Sequence, residues 1–381
     1  MNIGQETEIE QSEIRSMTLL CDLENGINMA QGLCDLVVPE EVLHGAQEAL
    51  NEGKNFYTSS YGIAELRSEI AAKQNTFHKQ DIKQENVLVS TGATGAFYST
   101  AKVILSPGDE VIVFEPYYGY HVSTLRALGC KIKFISTTPP EYSIDFNALE
   151  DLISTYTKAI LICNPSNPSG KVYTMKELES LGKIATQHNL TLFSDEMYEH
   201  FIYDDASFTS ALSIGSLKER VVVISGFSKI YSVTGWRIGY AITSKNVIDA
   251  ASHVNDLIYL CPPTPLQYGV LQGLKKLPLS YYKNVAVEHQ KKRDQLIETL
   301  NEIGFKAHSV KGAYYVLADV SKIEGKDTTD KAINLLKQTG VATVPGKAFY
   351  NDIGDLHLVR FCFSKKQEEL DEACRRLRTL L

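Results

Sequence analysis

Lys229 and Arg237 stand eight positions apart in SGFSKIYSVTGWRIGY, residues 225–240. The run before them, VVVIS (221–225), reads as a short buried strand closed by Gly226. A lysine just after a buried strand is costly unless its ammonium is paired or neutral. Forming a Schiff base with an aldehyde removes that cost and gives the amine a chemical role. Arg237 adds a planar, permanently charged fork suited to a phosphate. An aldehyde that carries a phosphate fits both residues, and pyridoxal phosphate (PLP) is such a molecule. The competing reading is an exposed Lys and Arg on a loop. The spacing, and Gly235 and Gly239 on either side of Arg237, weigh against it.

Two further stretches suit the same ligand. TGATGAFYSTAKVIL (91–105) follows a strand at 86–90 and opens a helix with small residues. Unpaired N–H groups at such a start aim at one point, and the helix dipole favours an anion there. Gly92, Ala93 and Thr94 therefore read as a phosphate cradle. The stretch lacks the GxGxxG order of a dinucleotide site. Asp195 lies late in the apolar strand of LTLFSDEMYEHF (190–201). An isolated carboxylate there needs a cationic partner. A protonated pyridine nitrogen supplies one, and the pair keeps the ring an electron sink.

Together these stretches resemble the motifs of class I/II aminotransferases, the fold-type-I PLP enzymes of the aspartate aminotransferase superfamily. Most of the chain, from Gly32 to Phe363, reads against that family. The resemblance implies that Lys229, Asp195 and Tyr198 are catalytic. It implies that Tyr57, in FYTSSYGIAELRSEIAAK (56–73), reaches the phosphate of a neighbouring subunit. Tyr118, two residues after Pro116, would stack on the cofactor ring. Asn167, in NPSNPSG (164–170), and Tyr198 would bond the ring oxygen, with a cis bond expected between Asn167 and Pro168. Gly32 would lie near the substrate, and Arg360, in HLVRFCFS (357–364), would grip its carboxylate. Two departures stand out. The family's serine three residues before the lysine is Gly226 here, which leaves Ser225 or Ser228 as the phosphate ligand. LCDLVV, after Gly32, differs from the commoner pattern and points to a changed substrate pocket.

Composition narrows the rest. The net charge of −8, with no basic block, argues against a nucleic-acid surface. The cysteines (Cys21, Cys34, Cys130, Cys163, Cys261, Cys362, Cys374) are odd in number and form no CxxC pair. A disulfide framework or a metal site is therefore not expected. The start, MNIGQETEIEQSEIRS, is polar and acidic, unlike a signal peptide. No apolar run reaches the ~18 residues that span a bilayer. The expected compartment is the cytoplasm.

The elements that must position these residues alternate strand and helix. Strands are expected at 110–116, 131–136, 158–163 and 190–201, with helices at 40–52, 91–105, from Phe146, and at 175–189. After Tyr240 the pattern turns helical, with one long helical region at 266–301. Strand-like runs at 313–320, 341–345 and 357–364 flank a helix at 329–339, and a last helix runs to Leu381. Residues 1–18 read as an arm or a first helix. The expected fold is α/β, a mostly parallel sheet of the seven-stranded type sandwiched by helices, plus a smaller α+β domain. The large domain is placed at 41–275. The small domain combines 1–40 with 276–381.

The reading is a homodimeric PLP enzyme with shared sites that moves an amino group from an L-amino acid to a 2-oxo acid by a ping-pong route. No second arginine is evident for a dicarboxylate side chain, which favours neutral or aromatic donors. One alternative is another PLP reaction on the same scaffold: C–S lysis, amine elimination or cyclisation. Another is a non-enzymatic effector-binding protein. That would need an attached DNA-binding domain, for which the short acidic N-terminus leaves no room.

Overall fold

Near-continuous aliphatic runs build the centre of the molecule, as strands buried on both faces require. The computed structural model describes residues 12–381 apart from 80, 353 and 355. In chain order, α1 (Glu13–Leu23), β1 (Ile27–Asn28), α2 (Glu40–Asn51) and α3 (Ala64–His78) come first. Strands and helices then alternate through β2 (Val87–Thr91), α4 (Gly92–Ile104), β3 (Glu110–Glu115), α5 (Gly119–Ala127), β4 (Lys131–Ser136) and α6 (Phe146–Leu152). They continue through β5 (Thr157–Cys163), α7 (Met175–Gln187), β6 (Thr191–Asp195), β7 (Val221–Gly226) and β8 (Ile238–Ile242). Next come α8 (Lys245–Tyr259), α9 (Thr264–Lys276) and α10 (Leu279–Glu302). The last part holds β9 (Lys306–Ala307), β10 (Tyr315–Asp319), α11 (Thr328–Thr339), β11 (Val341–Ala342), β12 (Val344–Pro345), β13 (Leu358–Cys362) and α12 (Gln367–Leu377).

The central sheet has seven strands in the order β2-β8-β7-β6-β5-β3-β4. All neighbours are parallel except β8, which runs antiparallel to β2 and β7. The carboxyl ends of β2, β3, β5, β6 and β7 therefore open on one edge, beside the amino end of β8. Ligands bind at that edge in open α/β sheets. Gly92, Tyr118, Asn167, Asp195, Lys229 and Arg237 all lie at or just beyond it. The register pairs Cys163 with Asp195, Asp195 with Ile224, and Gly226 with Gly239.

A second sheet, β12-β13-β10-β9, is antiparallel. Arg360 sits in its inner strand β13, opposite Leu317 and Val344. β1 and β11 form a separate parallel pair. Among the described residues, no helix is long and apolar enough to cross a membrane.

Four expectations need correction. The strand read over 190–201 ends at Asp195. The next residues form a turn, with the Glu199 amide donating to Glu196 O at 3.1 Å. The stretch around Tyr240 is not the edge of a helical region. It is β8, fully buried between β2 and β7, and the helix begins at Lys245. The long helical region is two helices, α9 and α10, broken where Pro278 cannot continue α9. VATVP (341–345) is not one strand, because β11 and β12 belong to different sheets. Part of the 1–18 reading lies outside the described residues, and the rest is α1 from Glu13.

Candidate active site

Lys229 sits in the turn after β7, whose six residues are all buried. Its Nζ donates to Gly32 O at 2.6 Å. The side chain faces a pocket and is otherwise enclosed. Burial lowers the amine's pKa, and the guanidinium groups of Arg360 and Arg237 push the same way. A buried amine shifted downward is the form suited to act as a base or nucleophile.

The pocket beside it is walled by Ala93, Thr94, Tyr118, Asn167, Asp195, Tyr198, Ser228 and Arg237, together with His121 and Cys163. Arg237 precedes β8 with φ +57°, and its Nη1 donates to Thr234 O at 2.9 Å. A Cβ on Gly92, at φ +70°, would lie 2.3 Å from Arg237 Nη2. One on Gly239 would lie 2.3 Å from the Ala93 nitrogen. These two glycines let the start of α4 and the Arg237 side chain approach each other. Gly92 itself departs from the expected cradle. Its amide donates to Arg237 O at 2.9 Å, so Ala93 and Thr94 are the helix-start amides that remain. Of the two serines, Ser228 lines the pocket. Ser225 is buried in β7, with Oγ donating to Glu196 O at 3.3 Å.

Asp195 ends β6 and is 7% exposed. His121 Nε2 lies 2.9 Å from its Oδ2, and the Met197 amide donates to Oδ1 at 3.1 Å. His121 is the residue the sequence reading left without a role. His121 ends the run YYGYH (117–121), and a buried carboxylate demands a partner. Only the fold shows that the first turn of α5 delivers this imidazole. The Tyr118 ring stands edge-on to His121, with centroids 5.2 Å apart.

Arg360 is 1% exposed. Its Nη1 donates to Asn167 Oδ1 at 2.8 Å and its Nη2 to Ala30 O at 2.6 Å. Its Nε is buried with no partner. The guanidinium lies between the rings of Tyr315 and Phe349, 4.3 and 4.9 Å from their centroids. Among the described residues, no carboxylate pairs with Arg360, Arg237 or Lys229. Asp195 is the pocket's one acidic wall residue. Cations left without anions, Arg360 fully buried and Lys229 and Arg237 part-buried, suit a ligand that brings its own. The bonds at Asn167–Pro168 and Asn164–Pro165 are cis.

Four expected residues do not line this pocket: Gly92 and Arg360, described above, and Gly32 and Tyr57. Gly32 stands behind Lys229, where its carbonyl also accepts the Tyr314 hydroxyl at 3.1 Å. Tyr57 is 79% exposed on the surface, next to the equally open Phe56.

A class of enzyme with this sheet and these motifs is matched directly. The sequence profile of aminotransferase class I and II matches residues 24–377, and the chain belongs to that family. It is 32% identical to an aspartate aminotransferase of Sulfurisphaera tokodaii, over 93% of this chain and 90% of that one. The crystal structure of Escherichia coli YbdL, identified as a methionine aminotransferase, superposes with a TM-score of 0.95 at 28% identity over the full length of both chains. N-succinyldiaminopimelate aminotransferase of Mycobacterium tuberculosis gives 0.95 at 30%, again over both full chains. The protein is an aminotransferase of the α/β, fold-type-I architecture.

Proposed function

We propose that the pocket holds PLP and moves an amino group from a neutral or aromatic L-amino acid to a 2-oxo acid, in two half-reactions at one site. Arg360 carries this reading. It is a fully buried cation with an unpartnered Nε and no acidic neighbour among the described residues. A substrate α-carboxylate answers that need with a two-pronged bond.

The residues fit the cofactor. The Ala93 and Thr94 amides, Ser228 and Arg237 would take its phosphate, and Tyr118 would cover the ring. Asn167 and Tyr198 would meet the ring oxygen. Asp195 would face the ring nitrogen, and Lys229 would link to the aldehyde. When bound, PLP supplies a carbon that carries the amino group and a ring that delocalises the electrons left by the departing α-proton. Lys229, with its amine shifted down, takes that proton and returns it. Asp195, kept in place by His121 and the Met197 amide, supplies the negative charge opposite the ring nitrogen. Arg360 fixes the amino acid's orientation, and its stacked rings restrict the guanidinium to one plane.

Neutral or aromatic donors are preferred because the walls offer Tyr118 and Tyr120 and no cation beyond those already assigned. The relatives span aspartate and methionine enzymes, so kinship at this distance does not choose between donors. The assembly proposed is a homodimer in which Tyr57 crosses to the partner's phosphate, in the cytoplasm. We also propose a large unit at 41–275 and a small unit made of 1–40 and 276–381.

A screen of L-amino acids against 2-oxoglutarate and pyruvate, following the bound cofactor's absorption, tests the reading. Methionine or aromatic donors are expected to outrun aspartate. Aspartate as the best donor would overturn the donor class. Pyruvate and ammonia released without an acceptor would overturn transamination itself.

A further inference from the structure

Tyr315, in β10, stands between two residues given separate tasks above. Its hydroxyl lies 3.0 Å from that of Tyr198. The face of its ring carries the Arg360 guanidinium. Gly32 closes a third side, where a Cβ would lie 1.9 Å from the Tyr315 oxygen. We propose that Tyr315 is a positioning residue whose O–H donates to the Tyr198 oxygen, so that the Tyr198 O–H is directed into the cofactor pocket, while its ring holds Arg360 flat. This rests on the reading of the pocket as a PLP site.

Each neutral phenol has one proton to give. Burial raises both phenols above their ordinary range, so both stay protonated. The groups facing the pair are Tyr118, Cys163, Tyr314, Arg360 and Cys362. Arg360 has no acceptor atom. The Gly32 carbonyl already receives Tyr314 and Lys229. The Tyr198 and Tyr314 oxygens are the acceptors within reach of the Tyr315 hydroxyl, and with the Tyr198 proton given to the cofactor's ring oxygen, the Tyr198–Tyr315 contact closes only with Tyr315 donating. Once it accepts, Tyr198 gives its own proton elsewhere, and a phenol that accepts one hydrogen bond donates a stronger one. Tyr315 is then the link through which the carboxylate site and the ring-oxygen site are set together.

The test uses the PLP-loaded protein and the pH midpoint of its visible absorption. A donor to the ring oxygen matters most when that oxygen is most negative, on the deprotonated side of the titration. Tyr315→Phe keeps the ring and removes the hydroxyl. Its midpoint should rise by about 0.5 pH unit, roughly a threefold gain in proton affinity, with KM for the amino acid within about twofold. In a Tyr198→Phe background the same change should add no shift, since the effect runs through Tyr198. Tyr315→Leu also removes the ring and should raise KM several-fold beyond Tyr315→Phe. Fluorotyrosine at position 315 retains the shape and strengthens the donor, so it should move the midpoint down. An unchanged midpoint in both the Phe and fluorotyrosine proteins would overturn the inference, as would equal shifts in the two backgrounds. A parent protein with no titrating band would instead remove the PLP reading beneath it.

Discussion

Arg360 Nη1 donates to Asn167 Oδ1 at 2.8 Å, tying β13 of the small sheet to the turn after β5 of the central one. The two residues are 193 positions apart in the chain. The bond places the proposed carboxylate site directly against a proposed ligand of the cofactor's ring oxygen. It uses one N–H of the fork, Nη2 gives another to Ala30 O, and Nε stays without a partner.

Arg360→Lys follows from that geometry. Lysine keeps the charge and loses the planar fork and its stacking. We expect kcat/KM to fall by about 10²-fold, roughly 2.7 kcal/mol, with most of the loss in KM because the carboxylate is held throughout the reaction. PLP should stay bound. A KM within twofold of the parent would take Arg360 out of substrate binding.

Asp195→Asn separates charge from shape. The variant keeps the size of the side chain and can keep a bond to His121. It loses the pocket's one acidic wall residue. PLP should still load through Lys229 and Arg237, and the loss should fall on proton abstraction. A drop of at least ~10²-fold, about 2.7 kcal/mol of barrier, is expected. Single-turnover kinetics on the loaded variant decide it. A proton-abstraction rate within a few-fold of the parent would exclude Asp195 from the chemistry.

Glu196 carries a pH prediction. It is buried behind Asp195, its Oε1 accepting from Ser194 Oγ at 2.9 Å and from the Ala211 amide at 2.8 Å, while Oε2 has no partner. Burial pushes its carboxyl up to about 7 despite those donors. The folded state therefore holds this proton more tightly than the unfolded chain, where Glu titrates near about 4.3. The stability it contributes is full below that lower value and is lost as pH rises through about 7. Glu196→Gln cannot ionise. Between about pH 5 and about pH 8 its unfolding temperature should fall less than the parent's, by a few degrees. Equal falls would mean that Glu196 does not titrate as its burial dictates.

Tyr57 and Phe56 are exposed, as are Leu257, Ile258 and Leu260 of the nearby α8 end. The Thr264 hydroxyl donates to Phe56 O at 2.7 Å, which keeps the two segments together. A dimer covering this face is expected. Sedimentation should give a dimer at micromolar concentration, and Tyr57→Phe should weaken PLP retention several-fold. A PLP-loaded, active monomer would contradict the shared site.

Much of this was legible because each motif sits at a strand end, where an apolar run stops at a residue of another kind. VVVIS before Lys229 and LTLFS before Asp195 are of that type. β8 was missed because Arg237, at positive φ, opens it and a helix begins three residues after Ile242. Its five residues carry no alternation, since both faces are buried. His121 and Tyr315 were missed for another reason. Their roles come from contacts with Asp195 and Tyr198, far away in sequence, and neither spacing nor composition encodes those meetings. The Gly92 amide was misassigned because its partner, the Arg237 carbonyl, comes from an antiparallel neighbour strand that the sequence did not reveal.

The most direct measurement is to reduce the PLP-loaded protein with borohydride, digest it and locate the modified lysine by mass spectrometry. The expected result is one phosphopyridoxyl group on the peptide containing Lys229, and none in Lys229→Ala, which should also lose transamination. A group on a different lysine, or a Lys229→Ala protein labelled like the parent, would contradict Lys229 as the residue that anchors the cofactor.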